Sequence, residues 1–115
     1  MEFKDWTDWK KWSDDVIRKQ FVNDLANPEF SELGKLKWVF RKTNIDETNL
    51  KKNIMKALRK ADGSPVDELT NITTQKVRLL FPKESKFINK SNRINFLLEK
   101  LEDKNIFFQI FEIVN

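Results

Sequence analysis

Ile106-Phe107-Phe108-Gln109-Ile110-Phe111-Glu112-Ile113-Val114 is the stretch on which the fold class turns. Gln109 and Glu112 stand three apart, so a helix over this run sets both polar groups on one face and leaves the others to be buried. A strand is the competing reading, because period alone does not settle a short apolar run. The spacing of the two polar residues favours the helix, and with it an all-α chain.

Helix signals recur upstream. Ser91 or Asn89 caps a helix whose inward residues are Ile94, Leu97, Leu98 and Leu101. Thr73 caps the helix before it, stapled by Ile72 to Val77 and running to Phe81, where Pro82 stops it. Ser64-Pro65 begins a short turn or helix that holds Val66 and Leu69. Asp46 marks the clearest start, with Ile45 and Leu50 at the two positions of a hydrophobic staple. Leu50, Ile54, Ala57, Leu58 and Ala61 form the apolar face of that helix, and Asp62-Gly63 supplies its stop. Asn27-Pro28 opens the preceding helix, with Asn27 as N-cap and a stripe of Phe30, Leu33, Leu36 or Lys37, and Phe40. The first segment, from Asp5 to Leu25, carries Trp6, Trp9, Trp12 and Val16, then Ile17, Phe21 and Leu25. Its stripe changes face partway and Ser13-Asp14-Asp15 looks like a helix start, so one kinked helix or two short ones both fit. The expected fold is therefore all-α, a compact bundle of five or six helices in a single domain over residues 1–115.

Two hexamers suggest an internal repeat. Lys35-Leu36-Lys37-Trp38-Val39-Phe40 resembles Lys76-Val77-Arg78-Leu79-Leu80-Phe81, and each precedes a capped amphipathic helix. With one gap, Ile54, Ala57, Leu58 and Ala61 match Ile94, Leu97, Leu98 and Leu101, and Val66 matches Ile106. The alternatives are a helix–loop–helix unit of about forty residues used twice after the Trp-rich helix, or chance alignment of two basic amphipathic helices.

Composition narrows the chemistry. The chain has 10 Phe and 4 Trp, enough for one core, against only 2 Gly and 3 Pro. It contains no Cys and no His, which removes thiolate and imidazole metal ligands, the usual general base and any serine- or cysteine-type triad. The pairs Asp14-Asp15, Asp46-Glu47 and Asp67-Glu68 fall in the opening turns of expected helices, where the macrodipole favours acids. Adjacent helical side chains also diverge, so such pairs do not converge on a metal. Gly34 and Gly63 are isolated, so no phosphate-binding loop is present. No catalytic residue, cofactor, metal or small-molecule substrate is expected. The charged opening lacks a signal-peptide core and no apolar run reaches membrane length, so a cytoplasmic setting without membrane contact is expected.

Charge is uneven. Residues 34–60 hold nine basic and two acidic side chains, a balance of +7, and residues 76–93 hold six and one, a balance of +5. The flanking stretches are acidic, and the whole chain carries +4. A partner-binding surface is accordingly assigned to Lys35, Lys37, Arg41, Lys42, Lys52, Lys56, Arg59 and Lys60, with Arg78 and Arg93 from the second stretch. Its partner is a protein with an acidic surface, or a second copy docking opposite faces. The alternative is a nucleic acid, with Lys51 joining the first eight on phosphates. A solvated face is the plain reading of the same charges. Trp6, Trp9 and Trp12 form a second candidate surface, read as a hot spot, a base-stacking platform, a membrane-interface anchor or a cover for one end of the core.

Residues 73–114 resemble the C-terminal part of the effector-associated domains of bacterial defence proteins, small helical adaptors similar to the eukaryotic death fold. The resemblance lies in Leu79-Leu80-Phe81-Pro82 and in Lys90-Ser91-Asn92-Arg93-Ile94-Asn95-Phe96-Leu97-Leu98-Glu99-Lys100-Leu101-Glu102-Asp103-Lys104. It covers about a third of the chain. The resemblance implies a six-helix bundle without enzymatic activity, docking homotypically through complementary charged faces. The Trp-rich opening and the short link between Phe81 and Ser91 depart from that pattern.

Overall fold

The computed structural model describes residues 2–3, 13–30, 32, 37–42 and 45–114. Strand β1 (Glu2–Phe3) is followed by helix α1 (Asp14–Ala26), strand β2 (Trp38–Arg41) and helix α2 (Glu47–Ala57). A 3-10 helix (Asp67–Asn71) leads to α3 (Thr74–Leu80), and a second one (Pro82–Phe87) to α4 (Arg93–Glu102). The chain closes with α5 (Lys104–Ile110) and strand β3 (Phe111–Val114). The molecule is mostly helical, but it is not all-α.

The helix starts follow their local signals. Ser13 caps α1, accepting from the Val16 amide. Asp46 caps α2 through the Asn49 amide at 2.8 Å, and Thr73 caps α3 through the Lys76 amide at 3.1 Å. The residues of both expected staples, Ile45 with Leu50 and Ile72 with Val77, are all buried in the core. A cap of this kind contributes roughly 1 kcal/mol by satisfying an otherwise orphaned backbone donor. At α4 the cap is neither expected candidate, Ser91 or Asn89. Asn92 occupies the cap position without a side-chain bond to the helix, its Oδ1 accepting from the Asn89 amide instead, while Asn89 Oδ1 accepts from the Ser91 and Asn92 amides and shapes the approach.

None of the described residues of the helix expected from Asn27 to Phe40 is helical. Asn27 instead ends α1, its side chain accepting from the Glu29 amide in a tight turn, and residues Trp38–Arg41 are a strand. The reason is visible in burial. Trp38, Val39 and Phe40 are buried in succession, a demand that one helix face does not meet. A strand covered on both sides meets it, as central parallel strands do. β2 is the middle of a three-stranded sheet ordered β1-β2-β3, parallel to both neighbours. Glu2 pairs with Trp38, and Trp38 with Phe111.

Ile106–Val114 is thus helix and strand in turn. Asp103 caps α5 through the Asn105 amide at 2.9 Å, and the backbone turns extended at Phe111. The hexamer comparison fails on the same ground, because Trp38-Val39-Phe40 is a strand whereas Thr74–Leu80 is a helix. The forty-residue repeat is therefore not a structural repeat. Two smaller expectations are also corrected. Helix α2 ends at Ala57, so Ala61 is exposed rather than part of its apolar face. Gly63, at φ 88°, belongs to the following tight loop, closed by the Lys60 amide on the Ser64 carbonyl at 2.7 Å. Only the left-handed region serves there, which is why a glycine fits.

The core gathers where the sheet meets α1 and α5. Phe21 stacks on Phe111 at 5.6 Å, Phe107 stacks on Phe111 at 4.4 Å, and Trp38 meets Phe21 and Phe111 edge-on. Burying each such ring stabilises the fold by roughly 1.5–3 kcal/mol. The Trp38 indole N–H would be costly to bury alone, and it donates to Asp24 Oδ2 at 2.8 Å. This cluster fixes the face of α2 that looks inward, through Leu50, Ile54 and Ala57. The opposite face of α2 is thereby left outward.

Candidate interaction surface

The two basic stretches have different fates. On α2, Lys52 and Lys56 are exposed, and among the described residues neither side chain meets a carboxylate. They stand four apart, so they share one side of the helix. Lys56, Arg59 and Lys60 come together around a hollow of about 460 Å³ completed by Asp14, Ala61 and Gly63. Arg59 is partly buried, donating to the Gly63 carbonyl at 2.8 Å and lying 3.7 Å from Glu102. Lys60 pairs with Asp67 at 2.9 Å, and that hydrogen bond and charge raise its pKa above the ordinary lysine value.

Lys42 is exposed at a neighbouring hollow with Asp46, Glu47, Thr48 and Ile113. Lys37 lies 3.8 Å from Glu112 across the sheet, away from the α2 band. Arg41 closes β2 and is exposed. Lys35, Trp6, Trp9 and Trp12 lie outside the described residues.

In the second stretch Arg78 and Arg93 serve the backbone, while Lys83, Lys86 and Lys90 are exposed. Arg93 Nε donates to the Ile72 carbonyl at 2.8 Å and Nη2 to the Thr70 carbonyl at 2.9 Å, while Nη1 reaches the Lys90 carbonyl. One guanidinium thus ties the start of α4 to the end of the first 3-10 helix. Arg78 Nε donates to the Ile88 carbonyl at 2.9 Å and holds the second 3-10 helix against α3. Both guanidinium groups are engaged by carbonyl oxygens, although Arg78 is exposed and Arg93 half-buried.

Two cations that the sequence reading left unassigned act the same way. Lys76 is only 8% exposed, and its Nζ donates to the Asn27 carbonyl at 2.6 Å, at the C-terminal end of α1. Burial lowers its pKa. Arg18 joins three elements, donating to the Ala57 carbonyl at 3.0 Å and pairing with Asp15 at 2.7 Å and Glu68 at 3.1 Å. Apart from Asp15, three residues before Arg18, their partners come from remote parts of the chain, so neither tie had a local sign.

No protein-family model, curated protein or solved structure matches this chain. The surface must therefore be read from its own chemistry. Its charges are mixed: Glu47, Asp14, Glu102 and Asp67 sit among the lysines of the α2 side. Among the described residues, no three acidic side chains converge as metal ligands. Asp14, Asp15, Glu47, Asp67 and Glu68 instead occupy first helical turns. No helix among the described residues is long and apolar enough to cross a membrane.

Proposed function

We propose that this chain is a non-catalytic interaction domain that docks an acidic protein surface on the outward side of α2. The observation that carries the reading is the mosaic around Lys52 and Lys56, two exposed cations without a carboxylate partner among the described residues, bordered by Glu47, Glu102 and Asp14. Interleaved carboxylates repel a phosphate backbone, whereas a protein partner can place opposite charges against both signs. The resemblance of residues 73–114 to effector-associated domains supports an adaptor or inhibitor role in bacterial defence or signalling. A cytoplasmic setting suits a chain without cysteine.

The test is retention on immobilised poly-glutamate and on duplex DNA, in parallel, as salt is raised. Retention on poly-glutamate, released by salt and weakened by Lys52→Glu with Lys56→Glu, is the expected result. Preferential retention on DNA, with about one unit of salt slope per neutralised phosphate, would overturn it in favour of a nucleic-acid partner.

A further inference from the structure

The exposed side of α2 carries a second hollow, of about 340 Å³, lined by Glu47, Thr48, Lys51, Lys52, Met55, Glu102 and Lys104. Met55 is 7% exposed and forms its floor. Lysine stems add methylene groups to the walls, with their ammonium groups at the rim. A thioether floor adapts its shape to whatever apolar group enters.

The rim is not electrically neutral toward a visitor. Glu102 is already countered, with Lys51 and Arg59 lying 3.8 and 3.7 Å from its oxygens. Lys52 and Lys104 are exposed and meet no carboxylate among the described residues. Glu47 stands at the first turn of α2, opposing negative charge at that end. The arrangement is an apolar seat with two available cations at the edge.

We infer that this hollow receives one apolar side chain of an acidic partner segment, with carboxylates flanking that side chain held by Lys52 and Lys104. The inference rests on the proposed acidic-protein reading and adds an anchor to it. Charge alone would recruit any polyanion. The Met55 floor selects those that carry a leucine- or phenylalanine-sized group between their acids, since burying such a group favours it over serine by about tenfold or more.

The probes are two pentapeptides, acetyl-EDLDE-amide and acetyl-EDSDE-amide, titrated to concentrations on the order of millimolar, as short peptides require. The readout is the carbon-13 methyl resonance of Met55, told from that of the only other methionine, Met1, by the Met55→Leu variant. The expected result is a saturable shift with the leucine peptide, at least tenfold weaker binding of the serine peptide, and loss of both in Lys52→Glu with Lys104→Glu. Equal binding of the two peptides, or an unmoved Met55 methyl, overturns the inference. Retention on poly-glutamate then separates the cases. If it persists, only the anchor falls; if it is absent, the acidic-protein reading falls as well.

Discussion

Residues 34–60 and 76–93 are two basic stretches of similar density, yet three cations of the second tie backbone carbonyls while the described cations of the first mostly meet solvent or carboxylates. In the first, Lys42, Lys52, Lys56 and Lys60 are exposed along and beside α2. In the second, Lys76, Arg78 and Arg93 donate to the carbonyls of Asn27, Ile88, Ile72 and Thr70, while Lys83, Lys86 and Lys90 are exposed. The difference follows from the backbone around each. The second stretch sits among short 3-10 helices and a seven-residue α3, whose many ends expose carbonyls that need donors. The first includes one longer helix that satisfies most of its own backbone. Charge density therefore does not by itself say which cations of a stretch stay free of the backbone.

Arg93→Ala should separate the stretches most sharply. It strips donors from three carbonyls, at a cost of roughly 2–4 kcal/mol in urea unfolding. A loss under about 0.5 kcal/mol, the size of an ordinary surface change, would erase the distinction. Arg78→Met, with a single carbonyl left unpaired, should cost about 1–2 kcal/mol by the same measurement. Lys52→Ala and Lys56→Ala should each stay within about 0.5 kcal/mol of the parent while weakening retention on poly-glutamate.

Lys76 sharpens the comparison through pH. Its folded pKa lies below the ordinary lysine value of 10.5 because of burial. The folded state then binds this proton less well than the unfolded chain, so the charged lysine costs stability fully below its folded pKa. That cost is relieved as pH rises from there toward 10.5. Compared with Lys76→Met, the parent should gain stability over that alkaline window in pH-dependent urea unfolding. Parallel profiles would show that the Asn27 carbonyl offsets the burial.

Much of the helical framework was legible locally. The caps Ser13, Asp46 and Thr73, the staples Ile45–Leu50 and Ile72–Val77, and the stop at Pro82 each need only a few consecutive residues. The α2 face was legible for the same reason, since Leu50 and Ile54 turn inward at helical spacing and carry Lys52 and Lys56 outward. The hollow over Met55 was not, because Glu102 and Lys104 reach it from the junction of α4 and α5.

What the sequence determined by itself was a mostly helical chain, its helix starts and the outward side of α2, because caps, staples and the 3.6-residue period act within a few residues. Only the tertiary structure decided that Trp38–Arg41 and Phe111–Val114 are neighbouring parallel strands. A parallel pair is formed by residues far apart in the chain, and burial on both faces removes the alternation that would announce a strand. It also decided which cations became ties, since a lysine beside a remote carbonyl and one beside water are spelled the same way.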